Sequence, residues 1–314
     1  MFLLLLIITL IISIAFPGPG SFLYQQGYIV PAFIAFMYFS LGSSANYSSI
    51  KNSLKKIKTT IIIQITIFII APLIALLLFI IISKFYKSTN LIGLLFIASV
   101  PTTMTSCIFL TSKYEGDDIL ALCNSMLAQI IGVIITPIIL LFVLSTNSSQ
   151  VTSFSIVFKK LLLQVLTPFI IGQILNKYLY DTKLTRISKK VISNGIFPLI
   201  YLSIAQVVAM GDFKSIIIDG LPLIGICIIF GILQLLATQI MANVFNFNHK
   251  EKIAMLFVGS NKTMGLGIPL VLMYYPNSPQ ISTNIILMFL TYYIFSLIIV
   301  PFVADFLNKK AIKL

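Results

Sequence analysis

The sequence predicts an all-α polytopic membrane protein with ten transmembrane helices in two inverted five-helix repeats. Three observations predict it: an apolar composition sustained along the chain, a one-sided placement of lysine and arginine in the loops, and two matching polar interruptions on equivalent spans. Of 314 residues, 59% are hydrophobic and 9% are charged, with a mean hydropathy of +1.07. A soluble domain carries about 25% charged residues. Apolar runs of about 20 residues, enough to cross a bilayer, recur throughout and leave no stretch for a soluble domain. The lipid bilayer is the expected partner. A net charge of +13 would suggest nucleic acid in a soluble protein, but here it is read as topology, and no nucleic-acid partner is expected.

The spans run roughly over 1–16, 28–45, 59–82, 91–111, 118–144, 157–176, 191–210, 217–244, 252–274 and 281–306. The first, "MFLLLLIITLIISIAFPGPG", has neither a basic leading region nor a small-residue cleavage site, so it is expected to be retained. The second ends in a loop holding Lys51, Lys55, Lys56 and Lys58, and the third is largely apolar with Gln64 inside it. The fourth is interrupted by Pro101, and the fifth begins at Asp118, just after Glu115 and Asp117. The sixth precedes a loop with Lys177, Lys183, Arg186, Lys189 and Lys190. The seventh and eighth are apolar, the ninth is interrupted around Lys262, and the tenth ends in Lys309, Lys310 and Lys313.

With the amino terminus inside, those basic loops, Lys113, Lys250, Lys252 and the basic carboxyl end all face the cytoplasm. Only Lys84, Lys87, Lys159, Lys160 and Lys214 face out, and Lys262 lies within a span. Cytoplasmic loops are enriched in Lys and Arg, so the asymmetry favours ten spans with both termini inside.

"LFIASVPTTM", residues 95–104, and "LFVGSNKTM", residues 256–264, share a Leu-Phe pair, a small residue, Ser and a closing Thr-Met. They fall on the fourth and ninth spans, each the fourth in a block of five. Five is odd, so residues 1–150 and 151–314 form blocks of opposite orientation, an arrangement common in secondary transporters. Both stretches carry helix breakers and polar groups. Irregular backbone at membrane depth is tolerated only where it is buried in protein or lines a cavity. Thr103, Thr105 and Ser106 after the first break, and Ser260, Asn261, Lys262 and Thr263 in the second, are therefore candidate binding residues. A single Ser or Thr is more often bonded back to its own helix; it is the pairing of the clusters that favours function.

"VPTTMTSCIFLTSKYEGDDILALCNSMLAQIIGVIITPIIL" and "FVGSNKTMGLGIPLVLMYY" resemble the signature segments of the bile acid:sodium symporter family, in its sodium-bile-acid-symporter-like branch. The resemblance implies a panel domain of spans 1, 2, 6 and 7 and a core domain of spans 3–5 and 8–10, with spans 4 and 9 unwound and crossing. It implies transport of small organic anions by alternating access in the plasma membrane of a bacterial cell, as a monomer or weak homodimer. For a first sodium site it points to Ser106, Cys107, Ala121 and Ser125, of which only the serines keep a hydroxyl; Asn124 is a possible replacement. The glutamate that the sodium-coupled members place on span 9 falls on Val258, and a glutamine ligand falls on Lys262. Ser106, Asn124 and Ser125 are thus a weak Na+ site.

No acidic residue sits at mid-membrane depth, and Lys262 lies about ten residues into its span from Lys252. A charge there costs at least ~2.5 kcal/mol, so its ammonium is read as a tethered cation occupying the place of a sodium ion. Gln64 and Gln129 are the in-span amides best placed to reach the site, and Tyr292 and Tyr293 are candidates to face a cavity. Cys107, Cys123 and Cys227 have no metal spacing, and no hydrolytic constellation is present, so no enzymatic activity is expected. An auxin-efflux-carrier-like transporter and a non-transporting membrane sensor are the alternative readings.

Overall fold

The computed structural model describes residues 2–43, 56–86, 88–145, 159, 162–179, 196–211 and 213–312. Every regular element among them is helical. The loop lysines Lys51, Lys55, Lys183, Lys189 and Lys190, and the first residues of the sixth and seventh candidate spans, lie outside these residues. Five helices are long and apolar enough to cross a membrane: Ile57–Ile82, Asp118–Phe142, Gly220–Val244, His249–Tyr274 and Pro279–Lys309. The number rises to seven if two bent pairs are each one span. Three shorter apolar helices lie within the sixth, seventh and second candidate spans. Isoleucines such as Ile61, Ile69, Ile240 and Ile298 are exposed along these helices, as a lipid-facing surface requires. The chain is an integral membrane protein.

The chain divides into two compact units. The first comprises Met1–Ala45, Leu141–Leu221 and Gly265–Leu287. It holds α1 (Phe2–Ala15), α2 (Pro17–Gln25), α3 (Ile29–Ser43), α8 (Thr167–Leu179, led by a π-turn), α9 (Ile196–Ala209) and nearly all of α12 (Met264–Tyr274). Residues 17–27, between the first two candidate spans, are expected to form a loop. Instead, α2 starts on Pro17 at 87° to the end of α1, because proline is compatible with a first helical turn, where its missing amide has no intrahelical partner. α3 and α8 cross at Gly42 and Gly172: a Cβ on Gly172 would lie 2.9 Å from Ser43 N, and one on Gly42 would collide with Phe169 O. Such close approach through small residues is how helices pack without a hydrophobic drive in lipid.

The second unit comprises Asn46–Leu140, Pro222–Met264 and Met288–Leu314. It holds α4 (Ile57–Ile82), α5 (Thr89–Ser99), α6 (Met104–Lys113), α11 (His249–Ser260) and most of α7 (Asp118–Ser145), α10 (Phe213–Val244) and α13 (Pro279–Ile312). One end of this unit gathers the starts of α4, α7 and α11. Lys56, before α4, bonds Asp117 at 2.9 Å and Glu251 at 2.8 Å. Asp117 also accepts from Leu120 N at 2.9 Å, and Glu251 forms a capping box with Asn248. Both carboxylates thus complement helix N-termini. Hydrogen bonds to Glu251 and Asp117 hold Lys56 above the ordinary lysine value. Burial by itself would raise Asp117, but the bonds from Lys56 and the Leu120 amide outweigh it and hold the carboxyl below its usual value. Asn308, late in α13, reaches Tyr114 O at 3.2 Å, so the ends of α6 and α13 join the same face.

Candidate functional site

α5 ends because of Pro101. A proline ring clashes with the carbonyl four residues back and supplies no amide. The chain runs extended through Val100 (φ −78°, ψ 152°) and Thr103 (φ −75°, ψ 138°), and α6 restarts at Met104, bent by 60°. The break leaves a row of carbonyls that need donors. Lys262 Nζ gives to Ala98 O at 2.7 Å and to Val100 O at 3.0 Å. Thr136 Oγ1 serves Ser99 O at 2.8 Å, the Thr263 amide serves Pro101 O at 2.8 Å, and Gln129 Nε2 serves Thr102 O at 2.6 Å. Every carbonyl from 98 to 102 is therefore satisfied from α7 or from the second break. Gly132 lets α7 this close, since a Cβ there would lie 2.6 Å from Pro101 Cγ.

The third ligand of Lys262 comes from α4, where Nζ lies 3.0 Å from Ile67 O. That carbonyl is available for a local reason. Thr66–Ile70 is a π-turn in which the Ala71 amide is taken by Thr66 O, and the next residue is Pro72, which has no amide. Neither residue that could close a helical bond onto Ile67 O is able to. An ammonium has three donors, and all three are used on backbone carbonyls. The side chain is 1% exposed. Two of its ligands cap the C-terminal end of α5, where the helix dipole supplies partial negative charge. Among the described residues no carboxylate contacts it.

The second break repeats the first. Ser99 and Ser260 occupy matching places, and both hydroxyls donate back to their own helix, Ser99 to Leu95 O at 2.6 Å and Ser260 to Leu256 O. Both serine carbonyls receive a hydroxyl, Ser99 O from Thr136 of α7 and Ser260 O from Tyr292 of α13 at 2.5 Å. The residues that follow, Val100 and Asn261, share one conformation, with Asn261 at φ −81° and ψ 150°. Met104 and Met264 then open new helices. Gln234 Nε2 caps Gly259 O at 2.8 Å, and Gly259 admits Thr238 to within 2.9 Å of where a Cβ would be.

Other expected site residues lie elsewhere. Thr105 is exposed on α6 and takes no part in the cluster, because its position turns it away from Thr102 and Cys107. Ser260 and Asn261 spend their donors on their own helix, Asn261 Nδ2 on Phe257 O at 2.8 Å. Asn124 faces α4: Gln64 Nε2 reaches its Oδ1 at 3.2 Å, and its own Nδ2 donates to Leu120 O at 3.0 Å. Gln64 therefore stops at Asn124, whereas Gln129 does reach the break. Ser106 pairs with Thr103 at 2.5 Å, and Cys107 Sγ donates to Phe257 O at 3.2 Å. Ser125 Oγ and Asn261 Oδ1 are buried without a hydrogen-bond partner. The donor set implied for a sodium ion is thus divided: Ser106 is paired to Thr103, Asn124 is turned to α4, and Val258 offers no carboxylate. The carbonyls of Ile67, Ala98 and Val100 escaped the sequence reading. Pro72 and Pro101 were the available signals, since each removes an amide that would have closed a helical bond.

Three relatives and one family model bear on what this site serves. Sodium/bile acid cotransporter 7 of Xenopus tropicalis is 26% identical over 312 residues, covering 95% of this chain and 89% of that protein. The mouse protein of the same name is 27% identical over 257 residues, covering 79% and 74%. YfeH of Escherichia coli, named as a candidate symporter, is 22% identical over 286 residues, covering 88% and 84%. The model of the SBF-like CPA transporter family matches residues 1–309. A chain with apolar membrane-spanning helices, broken at two places that bond to each other, and matched by this family model along nearly its whole length is a member of the SBF-like CPA transporter family.

Proposed function

We propose that the chain is a secondary active transporter of a small organic anion, working by alternating access around the two breaks, with the Lys262 ammonium in the place of one sodium ion. The observation that carries this reading is the cage of Ile67, Ala98 and Val100 carbonyls around a buried ammonium. Backbone carbonyls at broken helices are the ligands transporters use for sodium, and here a covalently attached cation fills them. Its positive charge, with no carboxylate in contact among the described residues, suits a protein whose cargo is anionic. The relatives named as sodium/bile acid cotransporters support the transport class.

The architecture we propose has ten spans with inverted repeats over 1–150 and 151–314, a panel of spans 1, 2, 6 and 7, and a core of spans 3–5 and 8–10. The matched bonding of Ser99 and Ser260 supports the repeat; the first compact unit gathers spans 1, 2, 6 and 7, which supports the panel, but it also takes α12 and the start of α13, which the proposed core would hold. The proposal puts both termini in the cytoplasm of a bacterial cell, and the basic loops support that orientation.

Uptake of labelled taurocholate into proteoliposomes, across a sodium series at fixed ionic strength, tests the function. Transport by the native chain is expected to be independent of sodium and to be lost in Lys262→Met. Uptake at the native rate in Lys262→Met would exclude the cation role. A steep sodium requirement would reveal a sodium site with ligands beyond Ser106, Asn124 and Ser125.

A further inference from the structure

We infer that Gln234 of α10 is a positioning residue for the Lys262 cage, holding the π-turn of α4 against the end of α11, an inference that rests on the reading of Lys262 as a tethered cation. Lys262 follows α11 and reaches Ile67 O of α4 at 3.0 Å, so these two elements need a fixed relation for that carbonyl to serve. Gln234 is fully buried. Its Nε2 faces a carbonyl on each of the two elements, Gly259 O at 2.8 Å and Thr66 O at a longer 3.5 Å. Thr66 is the chain neighbour of Ile67, and Gly259 stands three residues before Lys262.

Gly259 O needs an outside donor for a local reason. In a continuous helix it would accept from the amide four residues on, which is that of Thr263. That amide is given to Pro101 O at 2.8 Å, in the other break. Gln234 thus supplies the donor that the crossing of the two breaks takes away. Thr238, one turn further along α10, packs at the same level: a Cβ on Gly259 would lie 2.9 Å from Thr238 Cγ2. α10 is therefore in close contact with the end of α11 where the amide bridges to α4.

The acceptor end of the amide separates positioning from general adhesion. Polar side chains commonly bond across helix interfaces in lipid, and an amide used only for adhesion engages both of its ends. Gln234 Oε1 is buried with no hydrogen-bond partner. Turning the amide over would set this oxygen against Gly259 O, acceptor to acceptor, so the backbone carbonyls fix its orientation. A buried unpaired acceptor is costly, yet it persists here with the N–H groups directed at the two elements that Lys262 joins.

The test uses the full chain in detergent and places Gln234→Met, which keeps the length and removes the N–H groups, in the native, Lys262→Met and Lys262→Ala backgrounds. The Tm losses of Gln234→Met and Lys262→Met are expected to be non-additive, since both act on one arrangement of α4 and α11; additive losses would overturn the inference. In Lys262→Ala, ammonium chloride at constant ionic strength is expected to raise the Tm, from a concentration that tracks its dissociation constant. Adding Gln234→Met should move that onset up about tenfold, the scale of one hydrogen bond. A merely structural role would lower the Tm at every concentration without moving the onset, and that result would overturn the inference while leaving the tethered cation intact. A Lys262→Ala chain indifferent to ammonium would instead remove the tethered-cation reading, and the inference with it.

Discussion

At the residue scale, Lys262 is held by backbone alone, so its removal has a defined consequence. Lys262→Met leaves three buried carbonyls without donors, and an orphaned buried acceptor costs about 1–3 kcal/mol. The loss is partly offset because a buried charge disappears as well. The expected result is a folded protein with a lower Tm in detergent, read by thermal unfolding. An unchanged Tm would mean that the ammonium does not bond these carbonyls. Gly132→Ala should also lower Tm, since the added Cβ would lie 2.6 Å from Pro101 Cγ and overpacking of this kind costs about 1–3 kcal/mol. An unchanged Tm there would mean that α7 does not rest on Pro101.

At the element scale, the π-turn of α4 is as much a part of the site as Lys262. Pro72→Ala restores an amide near Ile67 O, offering that carbonyl a backbone partner in competition with the ammonium. Pro72→Ala and Lys262→Met should therefore be non-additive in Tm, as expected for changes that share a partner; simple addition would separate the turn from the cage. The ion cluster at the starts of α4, α7 and α11 carries a pH dependence. Asp117 is held below its ordinary value of 3.8, so its stabilising contribution is fully present above that pH and fades as pH falls through the folded value. The native Tm should fall in this acid range more steeply than that of Lys56→Met, which lacks the partner; parallel curves would contradict the coupling. These elements also mark where sequence reading succeeds and fails. Pro101 and the Ser-Asn-Lys-Thr run announced both breaks, because helix breakers in an apolar run are visible in one dimension. Which face of α6 carries Thr105, and whether Asn124 meets Ser106 or Gln64, depend on helix rotation and packing that no local signal encodes. α2 escaped because Pro and Gly read as loop unless the first-turn exception is applied to Pro17.

At the scale of the whole molecule, the ends of α6 and α13 and the starts of α7 and α11 gather at one end of the second unit, and the proposed topology puts that end on one side of the membrane. Cysteines replacing Lys113, Lys250 and Lys309 should react with an impermeant thiol reagent from the same side, and one replacing Lys84 from the other. A mixed pattern among the first three would break the ten-span topology and the inverted repeat with it. The claim on which the rest depends is that a lysine does the work of a bound ion. The most direct measurement is the Tm of the native chain and of Lys262→Ala across sodium and ammonium series at constant ionic strength. The native Tm should stay flat, because its carbonyl cage is filled, while Lys262→Ala should start lower and rise as a free cation enters the vacated cage. A native Tm that climbs with sodium, or a Lys262→Ala Tm indifferent to both ions, would contradict the tethered-cation account.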